Sequence, residues 1–172
     1  MMKSLTAAAA LILFAGAAAA SELKVSFADS AWNGKKVPAG QQCTKFGGKG
    51  ATPSLKVEGI PPEANAIIVE FNDRSYHPLS YDGGHGKVRF SLKGGETSVV
   101  LPAVPGEIDK FPEGIFLEKR NQATGEYARP GYLPPCSGGN GNAYFADVLA
   151  VEKVGSNKPK VLAKTRIELG SY

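Results

Sequence analysis
Residues 131–151 read Gly131-Tyr132-Leu133-Pro134-Pro135-Cys136-Ser137-Gly138-Gly139-Asn140-Gly141-Asn142-Ala143-Tyr144-Phe145-Ala146-Asp147-Val148-Leu149-Ala150-Val151. A Pro-Pro corner and a glycine-rich turn lead directly into an apolar run. Proline fixes φ and removes a donor, while glycine lets the backbone approach a neighbour or adopt positive φ. The segment therefore predicts a shaped loop at the end of a strand, with backbone groups exposed for binding. The same composition also serves a disulfide-anchored corner that only turns the chain.

Outward from this loop, strand patterns dominate. Apolar and polar residues alternate over 23–27 and 87–92, and 66–71 is a short β-branched run bounded by turn residues. Further strands are expected at 97–101, 115–118, 143–151 and 161–169. Gly94-Gly95, Val104-Pro105-Gly106, Thr124-Gly125 and Gly155-Ser156-Asn157 separate them as turns. No stretch of a dozen residues carries a helical period, and 21 glycines and 12 prolines would interrupt one. The expected fold class is all-β, mainly β, a sandwich with Gly/Pro-rich loops and little helix.

The chain of 172 residues begins Met1-Met2-Lys3 and runs uncharged from Leu5 to Ala18-Ala19-Ala20. A basic start, an apolar core and a small-residue site describe a secretory signal peptide over 1–20, leaving 21–172 as one domain outside the cytoplasm, periplasmic or secreted. No later run reaches the length of a membrane-spanning helix, so no stable membrane insertion is expected after cleavage. The net charge of +4 drops to +3 with the removal of Lys3, and the remaining Lys and Arg residues are scattered. Nothing gathers them into a nucleic-acid surface. Cys43 and Cys136 are the only cysteines, and an even count in an oxidising compartment predicts a disulfide between them.

Polar groups collect at Glu70, Asn72, Asp73, Asp82 and His85, at strand ends where rigid β domains carry their binding groups. The glycines flanking His85 clear space around its imidazole, whereas His77, before Pro78, reads as an exposed loop residue. With two histidines and no zinc spacing, neither a metal nor another cofactor is expected. Ser137 lacks the first glycine of a G-x-S-x-G elbow, so a Ser137/His85/Asp73 set has no local support and no enzyme is expected.

The motifs resemble a family. Cys43 to Gly48, Thr52-Pro53-Ser54-Leu55-Lys56-Val57, Gly59-Ile60-Pro61 and the strand at 66–71 resemble the opening of bacterial phosphatidylethanolamine-binding proteins, the Raf kinase inhibitor-like or YbhB/YbcL-like group. Gly131-Tyr132, Pro135-Cys136 and Tyr144 stand at the spacing of its G-Y-x-G-P-C-P-P-x-G-x-H-R-Y segment. Phe111-Pro112-Glu113-Gly114 is similar to the family's L-P-x-G, and 161–172 to its closing V-L-A-x-x-x-L-x-G-x-Y. The resemblance implies a β-sandwich with a small pocket for a phosphate-type or carboxylate anion.

Carried over position by position, the resemblance makes His85 the pocket histidine and places Asn72-Asp73-Arg74 at the family's D-P-D, without its proline. Asn142-Ala143-Tyr144 stand at H-R-Y, with the tyrosine kept and the histidine and arginine lost. A short link at 155–159 replaces the helix that usually precedes the last strand. The expected ligand residues are thus His85, Asn72, Asp73, Tyr132, Asn142 and Tyr144, with Pro134 and Pro135 as a rigid wall and Asp73 orienting His85. A small anionic ligand is the expected partner. The competing reading is a protein-interaction or inhibitor module whose loops block a partner such as a hydrolase.

Overall fold
Every inward position of 67–71 is filled by a large apolar side chain, and this segment becomes the middle of the central strand. The computed structural model describes residues 22–172; the signal-peptide reading of 1–20 lies outside the described residues. Eight strands form, in chain order β1 (Lys24–Phe27), β2 (Leu55–Glu58), β3 (Ala66–Asp73), β4 (Gly86–Ser91), β5 (Ser98–Leu101), β6 (Ile115–Lys119), β7 (Ala143–Glu152) and β8 (Lys160–Ser171). Three short 3-10 turns, at Thr44–Phe46, His77–Leu79 and Gly125–Tyr127, are the only helical elements among the described residues. The expected all-β class is what the chain adopts.

Two antiparallel sheets pack face to face. The smaller has the order β1-β2-β5 and the larger β6-β4-β3-β7-β8. Successive side chains on a strand point to opposite faces. Ile67, Val69 and Phe71 of β3, Val88 and Phe90 of β4, and Ala146 and Val148 of β7 therefore turn inward. They meet Leu55, Val57 and Leu101 of the smaller sheet in one core, which Trp32, Ile60, Val104 and Tyr132 complete from the loops. β2 is the strand that periodicity missed, since four alternating residues between Pro53 and Gly59 do not differ from a loop until β1 and β5 pair with them.

The predicted disulfide is present and joins Cys43 to Cys136 across 93 positions. It ties the turn at Thr44–Phe46 to the loop 131–142, where the backbone N–H of Cys43 also donates to the Pro135 carbonyl. Leu133 packs beside the bridge.

Candidate functional site
The strict alternation of β3 divides the polar cluster. Asp73 continues the inward series of Ile67, Val69 and Phe71, and it pairs in register with Tyr144 of β7. Asn72, its neighbour, points the other way. Its side-chain oxygen accepts from the backbone N–H groups of Gly83 and Gly84, and its amide donates to the Glu70 carbonyl. Asn72 is thus a strut for the turn before β4, and it does not line the cavity described below. Glu70 and Asp82 share Lys87, and Asp82 also bonds Lys119. These two ammonium groups hold the Asp82 carboxyl down at about 2.

His85 precedes β4, whose Lys87 pairs with Glu70 on the outer face and whose Gly86 pairs with Phe71. Regular alternation would send His85 outward with Lys87. Gly86 instead adopts φ +112°, a conformation few L residues tolerate, and the alternation breaks there. Gly84 has a different duty. A Cβ at this position would lie 2.3 Å from the Leu79 backbone, so the glycine allows two chain segments to touch. The flanking glycines therefore set the path of the chain rather than clear space around the ring.

The imidazole is 3% exposed. Its Nδ1 lies 2.8 Å from the Leu133 carbonyl oxygen, and a carbonyl only accepts, so Nδ1 carries the proton. Leu133, not Asp73, orients the ring. The backbone reinforces this: His85 N–H donates to Phe71 O, Leu133 N–H to His85 O, and Gln122 N–H to Gly84 O. Tyr144 stands edge-on to the imidazole at 5.4 Å, and its hydroxyl accepts from Cys136 N–H. Burial pushes the Tyr144 hydroxyl up to about 12. The Asp73 carboxylate accepts from Asn142 Nδ2 at 2.7 Å and from Ser75 N–H at 2.8 Å.

These groups line a cavity of about 550 Å³, whose wall also includes Tyr76, Leu79, Gln122, Tyr127, Leu133 and Ser137. Four expected ligand residues, Asp73, His85, Asn142 and Tyr144, are brought together there. Tyr132 is not among the lining residues: it is buried in the core with its ring 4.5 Å from Phe71, and burial raises its hydroxyl pKa. Pro134 and Pro135 are not in the wall either, and Pro134 packs against Gly50 and Gly106. Among the described residues, two buried side-chain polar atoms lack a hydrogen-bond partner, His85 Nε2 and Gln122 Nε2, and both residues line this one cavity. Nothing in the sequence singled out Gln122, Tyr76 or Tyr127, because an irregular loop has no period from which its final position can be read.

Burial lowers the His85 pKa below 6.5, outweighing the opposing effects of the Leu133 bond and the Asp73 charge. The other titratable groups around the cavity are the phenols of Tyr76, Tyr127 and Tyr144. Above about pH 6.5 the imidazole is neutral folded and unfolded. As pH falls below that value the unfolded chain takes up a proton that the folded one refuses, and stability declines until the folded-state pKa is passed. The urea midpoint should therefore drop from about pH 7 to about pH 5, and His85→Gln should flatten the decline. A wild-type midpoint that stays level over this range would mean that His85 charges freely in the fold.

The architecture is that of the phosphatidylethanolamine-binding protein fold. A solved homologue of that family from Chlamydia trachomatis, CT736, superposes with a TM-score of 0.55 at 17% identity, over 88% of this chain and 97% of its own. YbcL of Escherichia coli, described as a member of the mammalian phosphatidylethanolamine-binding protein family, matches with a TM-score of 0.54 at 20% identity, over 88% of this chain and 98% of its own. No family model and no curated protein matches the chain.

Proposed function
We propose that this chain is a divergent member of the phosphatidylethanolamine-binding protein family that acts outside the cytoplasm as a non-catalytic binding protein, with a small ligand seated in the His85 cavity. The observation that carries the reading is the pair of orphaned nitrogens, His85 Nε2 and Gln122 Nε2, on one cavity. Buried polar atoms in folded proteins are nearly always partnered, and two exceptions on the same wall fit a site whose partner is a ligand. A volume of about 550 Å³ suits a small molecule. Likeness of fold supports family membership, and the apolar leader with the Cys43–Cys136 bridge supports an oxidising compartment.

The non-catalytic reading is supported by Ser137, whose hydroxyl donates to the Tyr172 carbonyl at 2.6 Å instead of to an imidazole. The anionic ligand implied by the family resemblance would meet one carboxylate and no lysine or arginine in this wall, so only amide and hydroxyl groups would hold it.

The test is a screen of small polar fragments against isotope-labelled protein, read at the His85 Nε2 and Gln122 side-chain amide resonances. Fragments should move both signals together, and in His85→Phe the shift of the remaining Gln122 side-chain signal should be lost. Fragments that bind only elsewhere would overturn the reading and favour the protein-interaction module.

A further inference from the structure
The dipeptide Asn-Gly occurs twice in the chain, at Asn33-Gly34 and Asn140-Gly141, and the fold treats the two differently. We propose that Asn33 is a self-modifying site, at which the Gly34 nitrogen attacks the Asn33 side-chain amide and converts it to aspartate and isoaspartate. This chemistry proceeds whether or not the His85 cavity holds a ligand. Asn33 is exposed, in the loop that follows β1. Its Oδ1 accepts from the backbone N–H groups of Lys35 at 2.9 Å and Lys36 at 3.2 Å. The ring closed by the Lys35 bond contains both Asn33 Cγ and the Gly34 nitrogen, so one turn already holds the two reacting atoms. Attack moves negative charge onto Oδ1, where those two N–H groups stabilise it as an oxyanion hole does. Gly34 places no Cβ beside the path of attack, and no hydrogen bond engages its N–H among the described residues.

Water is the only other reactant. The Gly34 N–H proton passes to a solvent base, the nitrogen bonds to Asn33 Cγ, and the Cγ–Nδ2 bond breaks with release of ammonia. Water then opens the cyclic imide. Opening at Cγ gives aspartate, and opening at the main-chain carbonyl gives isoaspartate, whose backbone runs through the side-chain carbons and is one carbon longer. Asn140 lacks both aids. Gly141 N–H donates to the Tyr172 carbonyl at 2.8 Å, a bond that attack would break. Among the described residues no donor reaches the Asn140 side chain, so nothing polarises its carbonyl.

A longer backbone at residue 33 falls where the fold depends on register. Ser171 N–H donates to the Lys35 carbonyl and Val37 N–H to the Ser171 carbonyl, which ties this loop to the end of β8. The next residue, Tyr172, accepts through its carbonyl from Gly141 N–H and Ser137 Oγ, and its own N–H donates to Asn142 O. Residues 33–37 thus brace the end of β8, and that end braces the segment 137–142 beside the cavity. On the other side of Asn33, Trp32 is 5% exposed in the core. The added length therefore displaces Lys35 to Val37 rather than the core.

The test is to incubate the full mature chain at neutral pH, folded and in urea, and to follow both sites by peptide mapping with isoaspartate-specific methylation. In the folded protein Asn33 should convert at least about tenfold faster than Asn140, and no slower than it does in urea, where the two sites should converge. Isoaspartate at 33 should speed hydrogen exchange at the Val37 and Ser171 amides. Asn33→Gln, whose longer side chain closes the ring poorly, should hold both amides at their starting protection over the same period. The rate comparison uses the unaltered protein and does not depend on that variant folding. Equal rates in the folded chain, or faster conversion at Asn140, would overturn the assignment. Slower conversion at Asn33 in the folded chain than in urea would overturn it too, by showing that the turn protects the amide. Conversion at Asn33 with unchanged exchange at Val37 and Ser171 would overturn the link to β8.

Discussion

Replacing Cys43 and Cys136 together by alanine will lower the unfolding free energy by about 2–5 kcal/mol. The bridge closes a loop spanning 93 positions, and in the chain-entropy model so long a closure restricts the unfolded ensemble by roughly 4 kcal/mol. The native state loses contacts as well, because Cys43 is fully buried and Cys136 nearly so, with Leu133 packed against both. The loss should reach the cavity. Leu133 supplies the carbonyl that orients His85, and Cys136 supplies the N–H that holds the Tyr144 hydroxyl. Urea melts of wild type and double variant measure the first effect, and the His85 Nε2 resonance reports the second. An unchanged midpoint would mean that the remaining hydrogen bonds of loop 131–142 hold it without help.

Phe71→Ala will cost about 3–5 kcal/mol, the range for emptying an aromatic site in a close-packed core. Phe71 is 2% exposed, lies in the central strand of the larger sheet, and meets the Tyr132 ring at a tilt of 50° with the centroids 4.5 Å apart. Nothing at the surface can move in to fill the space, since Val69 and Asp73 on either side are fixed by pairing with β7. Phe71→Leu should recover most of the loss, because it keeps the site apolar and nearly filled. Chemical denaturation of the two variants checks the order. A cost below about 1 kcal/mol for alanine would show that the two sheets close over the gap.

The strands were legible where apolar residues alternate for five or more positions, as in 87–91, or run continuously through the middle of a sheet, as in 66–71. β2 was not, since its identity depends on partners far away in the chain. Within the site, Asp73 and His85 could be named as polar residues at strand ends, whereas Asn142 and Tyr144 could be named only through the family resemblance of the 131–144 segment. Asn72 failed for a reason the same pattern contains: adjacent residues on β3 face opposite sides, so Asn72 and Asp73 cannot share a cavity. Tyr132 failed because a loop tyrosine reads equally well as a ligand or as core. Gln122 and Tyr127 arrive from a segment without periodicity, held by the bond from Gln122 N–H to Gly84 O, which no residue type announces. The absence of cations from the wall was partly visible in Ala143, which stands where the family carries arginine.

Part of the frame around the cavity is built from main-chain bonds. His85, Gln122 and Leu133 are held by their peptide groups to Phe71, Gly84 and His85, and Arg74 N–H is held by the Ala143 carbonyl. Peptide groups are common to all residues except proline in its missing N–H, so most exchanges of side chain leave these bonds intact. The wall can therefore be exchanged one residue at a time without rebuilding the protein, and the shape of the cavity can outlast the side chains that line it.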